Sequence, residues 1–239
     1  MPLVEFRDVS YEVGGKLVLS HISFAVEPGE TLVLLGRSGS GKTTALKMTN
    51  GMLFPSAGQV LVEGKTTRDW DPIRLKRHIG YVIQEVGLFP HFTIARNVGL
   101  VPTLEGRPDI KNRVDLLLDM VGLPPAEYRE RYPRQLSGGQ RQRAGVARAL
   151  AAEPPLMLLD EPFGALDPVT RFELQDQFLK LRREVHTTSI FVTHDIREAM
   201  RIGTRIILLA GGRIDWDAPA GDFRSANTDE ARAFLRSYA

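Results

Sequence analysis

Cysteine is absent from the 239 residues, which excludes a disulfide framework, a thiolate metal site and a cysteine nucleophile. A charge excess is missing too. The 31 Lys and Arg against 29 Asp and Glu leave a net charge of +2, so the balance gives no reason to expect a nucleic-acid partner. Long apolar runs do not occur. The longest, Ile206–Ala210, has five residues, against roughly 20 for a bilayer crossing. Met1-Pro2-Leu3-Val4-Glu5 carries neither a basic nor an apolar leader, so the expectation is a chain in the cytosol unless a partner holds it at a membrane. His21, His78, His91 and His186 show no metal-ligating spacing. What remains is an ordinary composition, 43% hydrophobic and 25% charged, and a length for one large domain or two small ones.

Apolar patterning predicts an α/β core with an antiparallel β flank and a helical insert. Leu3–Val9 and Leu17–Val26 mix apolar and polar residues at about period two, with Gly14-Gly15 as the turn between them. Thr31–Leu35 is an apolar run ending in glycine, as a strand buried on both faces would read. A helix is expected from Gly41 to about Met52. Further strands are expected at Gln59–Val62, Ile79–Gln84, Leu156–Asp160, Ser189–Thr193 and Arg205–Leu209. The stretch from Val98 to Ala152 reads mainly as helix, with breaks at Pro102, Pro108, Pro124-Pro125 and Pro133.

Three segments carry chemistry. Gly36-Arg37-Ser38-Gly39-Ser40-Gly41-Lys42-Thr43 fits G-x-x-x-x-G-K-[ST] between a buried strand and a helix. Its glycines let backbone N–H groups point inward at a phosphate, Lys42 can reach the β- and γ-phosphates, and the Thr43 hydroxyl suits Mg²⁺. This loop identifies a nucleotide phosphate site without separating ATPase, GTPase and kinase. Leu156–Leu159 ends in Asp160-Glu161, which delivers carboxylates to the carboxyl edge of a sheet. Asp160 suits the Mg²⁺ shell and Glu161 the polarisation of an attacking water. Leu136-Ser137-Gly138-Gly139-Gln140 opens a helical stretch. Its S-x-x-Q spacing is that of a capping box, yet two glycines in a first helical turn suit close approach of a phosphate. Both readings stand on the sequence alone.

Leu136–Gln140 reads LSGGQ, and placed between the phosphate loop and the acidic strand it resembles the signature of ATP-binding cassette ATPases. The resemblance runs over roughly residues 3 to 220 and implies a P-loop NTPase (RecA-like) core. It implies that Tyr11 stacks on adenine and that residues 36–43 with Thr44 cradle ATP. It further implies that Gln84 touches Mg²⁺ and senses the γ-phosphate, that Ala165-Leu166-Asp167 forms the D-loop, and that His194 contacts the γ-phosphate. Ser137, Gly138, Gly139 and Gln140 are then expected to act on the ATP of a second cassette. The whole chain is expected to be one nucleotide-binding domain, with a helical signature subdomain at about 88–152 and a short tail at about 221–239.

One phosphate loop and one signature imply a lone half that must pair, most simply as a twofold homodimer. Lys42 and Ser137 stand too close in sequence for the long coiled coil of chromosome-maintenance members, and neither a tandem cassette nor a fused membrane domain is expected. The chain is thus similar to the stand-alone ATPase subunits of bacterial importers; the alternatives are an importer ATPase for another small solute such as an amino acid, and a soluble cassette ATPase that serves no transporter. The importer resemblance implies a separate membrane permease, a solute-binding protein acting indirectly, and a peripheral position on the cytoplasmic face. The apolar stretch Val86-Gly87-Leu88-Phe89 after Gln84 is the expected groove for the permease. No N-K-x-D guanine-reading motif occurs. Trp70–Leu75, Ile79–His91 and Lys47–Asn50 resemble the quaternary-amine, or osmoprotectant, uptake branch. Many members there carry a C-terminal pair of CBS domains. The residues after 220 are too few for even one ~50-residue domain, so regulation through such a module is not expected of this chain.

Overall fold

Alternation and continuous apolar runs sort the strands into two kinds. The structure is a computed structural model that describes residues 1–84, 87–164, 166–185 and 187–238. The expected positions Val86, Ala165 and His186 therefore lie outside the described residues. By packing, the chain divides into two compact units, 1–76 with 187–239, and 77–186. In chain order the elements are β1 (Val4–Val13), β2 (Lys16–Val26), β3 (Thr31–Leu35), α1 (Lys42–Thr49), β4 (Ala57–Val62), β5 (Lys65–Thr66) and α2 (Pro72–His78). There follow β6 (Ile79–Val82), α3 (Ile94–Val98), α4 (Leu100–Leu104), α5 (Ile110–Met120), α6 (Pro125–Tyr128), α7 (Gly138–Leu150), β7 (Leu156–Asp160) and α8 (Pro168–Val185). Last come β8 (Thr188–Thr193), α9 (Ile196–Ile202), β9 (Arg205–Ala210), β10 (Arg213–Pro219) and α10 (Asp229–Tyr238).

In the first unit, β2, β1, β4 and β5 form an antiparallel sheet in that order. Beside it, β3 pairs in parallel with β8 on one edge and β9 on the other, and β10 runs antiparallel along β9. Strands β3 and β8 are buried at every residue, as strands covered on both faces must be. On β1, Val4 and Phe6 are buried, and then Asp8 adopts φ 49°. The resulting bulge moves Val9 back to the buried face.

In the second unit, β6 and β7 pair in parallel, with Val82 opposite Leu159. The helical insert sits in this unit. Buried Asn97 organises its first turn: its amide accepts from Phe89 N at 2.7 Å and donates to the carbonyls of Phe89, Phe92 and Thr93 at 3.1, 3.2 and 3.0 Å. No helix among the described residues is long and apolar enough to cross a membrane.

Several expected boundaries move, each for a local reason. Helix α1 stops at Thr49, not Met52, because Gly51 turns left-handed (φ 68°) and the N–H of Met52 returns to Lys47 O at 2.9 Å. Strand β6 ends at Val82, not Gln84, as its partner β7 ends at Asp160. Pro102 does not break the insert but lies inside α4, in a first turn whose N–H groups need no intrahelical partner. Pro125 and Pro133 open helical segments instead of interrupting them. The tail contains the helix α10, preceded by the strand β10; neither was anticipated.

Candidate nucleotide site

Register sets the site in the first unit. Leu35 is opposite Thr193 in the parallel pair β3–β8, so Gly36 and His194 leave the sheet side by side at its carboxyl edge, where such folds bind ligands. Gly36 to Gly41 then wraps back to α1. Lys42 is only 5% exposed, and its ammonium donates to the carbonyls of Gly36 and Arg37 at 2.7 and 2.8 Å. The Ser40 hydroxyl is buried without a partner. A buried cation that donates to two carbonyls of its own loop, beside an unsatisfied hydroxyl, is a site suited to an anion.

Only glycine fits the two ends of this loop. A Cβ on Gly36 would collide with Leu209 O and the Ser40 hydroxyl, and one on Gly41 (φ 101°) with the Leu19 side chain. Leu19 is in turn opposite Tyr11 across β1–β2, which puts the expected adenine-stacking aromatic on the strand pair that packs against the loop. Tyr11 is partly exposed there, as are Thr43 and Thr44 at the start of α1, while Arg37, Ser38 and Gly39 are exposed. His194 is exposed on the turn that follows β8. The buried Thr193 hydroxyl donates to Glu198 at 2.7 Å and accepts from Asp195 N at 3.0 Å, and Asp195 caps α9.

The second unit carries the acidic residues and the signature. Asp160 ends β7 at 5% exposure, and Glu161 follows it in a left-handed conformation, φ 45°. Gln84, Gly138 and Glu161 line one open cleft, with Arg141, Gln142 and Leu166 also in its wall. Ser137 caps α7 by a complete capping box. Its hydroxyl accepts from Gln140 N at 3.2 Å, and its N–H donates to Gln140 Oε1 at 2.8 Å. The two glycines differ. A Cβ on Gly139 would meet Thr170 at 2.6 Å, so this residue lets α7 approach α8. A Cβ on Gly138 would meet nothing within 4 Å, so Gly138 leaves room for a ligand at the helix N-terminus. Asp167 immediately precedes α8: it accepts from Thr170 N at 3.0 Å, and its hydrogen bonding with Thr170 holds its carboxyl below the usual range.

Tyr81 went unremarked in the sequence. Burial, and secondarily the charge of Asp160, push its hydroxyl up to about 12, so it stays a neutral donor beside the acidic strand. Thr43 in the first unit, and Gln84 and Asp160 in the second, each carry an oxygen of the hard type that Mg²⁺ takes. Among the described residues no group of three or more His, Cys, Asp or Glu could hold a metal ion.

The strand–loop–helix phosphate cradle and the LSGGQ turn define a nucleotide-binding cassette. The chain belongs to the ABC transporter family, whose pattern matches residues 19–164. It is 51% identical over 203 residues to the choline transport ATP-binding protein OpuBA of Bacillus subtilis, a match covering 84% of this chain and 53% of that protein. It is 42% identical over 238 residues to the glycine betaine uptake system ATP-binding protein YehX of Escherichia coli, covering 99% and 76%. Among solved structures it resembles a dimeric ATP-binding cassette in a post-hydrolysis state bound to ADP and Pi, with a TM-score of 0.81 and 33% identity over 91% of this chain and 98% of that one. The chain spans about half the length of the first curated relatives it matches.

Proposed function

We propose that this chain binds and hydrolyses ATP as the energy-coupling subunit of an importer for quaternary-amine osmoprotectants. The observation that carries the ATP reading is the cradle itself: buried Lys42 ringed by Gly36 and Arg37 carbonyls, beside the unpartnered Ser40 hydroxyl. Triphosphate oxygens replace those carbonyls on Lys42 and accept from Ser40 and the loop N–H groups. Tyr11 stacks on the base. Glu161 accepts the proton of a water whose oxygen attacks the γ-phosphorus. The bond to the bridging oxygen breaks, and ADP and phosphate leave. Mg²⁺, held by Thr43, Asp160 and Gln84, would neutralise phosphate charge. His194 donates to the γ-phosphate.

Gly138 and its helix end close on the ATP of a second copy, a reading supported by the open space at Gly138 and by the dimeric state of the similar cassette. Leu88 and Phe89 face a membrane permease, which holds the chain at the cytoplasmic face of the membrane, and a solute-binding protein acts through that permease. Glycine betaine, choline and carnitine are the solutes favoured by the named relatives. The chain takes no nucleic acid. Phosphate release by the purified chain tests the ATPase reading. ATP-driven uptake of labelled glycine betaine or choline into vesicles holding the chain and its permease tests the transport reading. Uptake of sulfate or an amino acid instead would redirect the solute assignment and leave the ATPase standing.

A further inference from the structure

The phosphate loop is gripped from two directions, and only one of them belongs to the loop. Lys42 holds the Arg37 carbonyl at 2.8 Å. The Arg37 guanidinium reaches outward, and its Nε donates to Glu230 Oε1 at 2.6 Å, across 193 residues of sequence and within the same compact unit. Glu230 stands in the first turn of α10. That helix is a fixed platform: Ala231 is fully buried and Phe234 nearly so. Its N-terminus is capped by Thr228, which accepts from Ala231 N at 3.2 Å and bonds Asp215 on β10.

We infer that Glu230 is a positioning residue for the phosphate loop: it draws the Arg37 guanidinium away from the nucleotide and so lowers the loop's affinity for a phosphate tail. The inference rests on the nucleotide reading above. Arg37 is the second residue of the loop, so its cation is placed to add to the field that attracts phosphates. Glu230 competes with those phosphates for the same guanidinium and cancels its charge. A nucleotide that recruits Lys42 leaves the Arg37 carbonyl to the Ser40 N–H at 3.2 Å, and one that recruits the guanidinium releases the Glu230 carboxylate at the start of α10. By reciprocity, whatever displaces α10 tightens nucleotide binding. The pair is exposed, 68% at Arg37 and 24% at Glu230, so its effect is modest and salt-sensitive.

Calorimetric titration with Mg-ADP tests this on four full-length proteins: wild type, Glu230→Gln, Arg37→Gln and the double variant. At low salt Glu230→Gln is expected to bind ADP roughly two- to fivefold tighter. The gain shrinks at high salt and vanishes in the Arg37→Gln background. Hydrogen exchange in 229–238 should rise on adding ADP to wild type and change little on adding it to Glu230→Gln. Unchanged or weaker binding by Glu230→Gln, or an equal gain with and without Arg37, overturns the inference and leaves the nucleotide site intact. Failure of the wild type to bind ADP overturns the site reading and this inference together.

Discussion

The Lys42 ammonium donates to the Gly36 carbonyl at 2.7 Å, a bond between the two ends of one loop that an entering phosphate must replace. The side chain is therefore poised for exchange between carbonyl and phosphate oxygens. Lys42→Ala removes the charge from that exchange. Hydrogen bonds to a charged group contribute about 1.5–3 kcal/mol, so ATP binding should weaken roughly tenfold or more. Titration with ATP in EDTA-free buffer checks this, and unaltered affinity would remove Lys42 from the site.

Glu161 joins two demands in one residue. Its carboxylate lines the cleft with Gln84 and Gly138, and its backbone is left-handed at φ 45°, a conformation that costs a non-glycine residue about 1 kcal/mol. Two substitutions separate these demands. Glu161→Gln should bind ATP normally and lose at least roughly 10²-fold in hydrolysis, since an amide cannot take the proton. Glu161→Gly should be as inactive, while release of the left-handed strain offsets up to about 1 kcal/mol of the stability lost with the side chain. Phosphate-release rates and denaturation curves report the two effects independently. Near-normal hydrolysis in either variant would sink the general-base assignment.

Much of this site was legible in residue order, because its parts are local. The phosphate loop is eight contiguous residues, the capping box of Ser137 and Gln140 is a three-residue spacing, and β3 announces burial on both faces by its apolar run. What could not be read was tertiary or edge-dependent. Strand β10 is the exception: Arg213-Ile214-Asp215-Trp216-Asp217-Ala218 alternates polar and apolar residues, the period-two pattern of a half-exposed strand, and it pairs with β9 as that pattern allows. Helix α10 depends on docking through Ala231 and Phe234. The Arg37–Glu230 contact joins residues 193 apart, and the upward shift at Tyr81 comes from burial that no local pattern encodes. Pro102 misled because proline opposes only helix interiors, and α4 is short enough to be all first turn.

Tyr81 gives the acidic strand a pH signature. Its hydroxyl titrates near 12 in the folded chain, against an ordinary value of 10. The unfolded chain therefore loses this proton first as pH rises. The stability contributed by neutral Tyr81 is complete below about pH 10 and declines between about 10 and 12. Tyr81→Phe should lose this part of the alkaline decline while other groups titrate as before. Melting temperatures of both proteins from pH 8 to 12 check the sign. Parallel curves would show that burial does not hold the phenol neutral.

Ser137 is a helix cap in this structure, and that fact shapes the test of its second role. Its hydroxyl and N–H both bond Gln140, so a bulky replacement loses the cap as well as any contact to a nucleotide. Ser137→Arg should block the partner's ATP by bulk and by like charge near the partner's Lys42, but it also costs about 1 kcal/mol in capping. Ser137→Asp separates the two roles. Aspartate caps as well as serine and complements the helix dipole, so melting should be unchanged to within about 0.5 kcal/mol. Its charge would nevertheless repel a phosphate brought to Gly138, where a Cβ meets nothing within 4 Å. In a Glu161→Gln background, which should retain ATP, adding ATP with Mg²⁺ should shift the chain from monomer to dimer on a sizing column. Both Ser137→Arg and Ser137→Asp should abolish that shift while each monomer still binds ATP through its own loop. If Ser137→Asp dimerises like its parent, the serine is a cap alone and the signature does not close on a second copy's nucleotide.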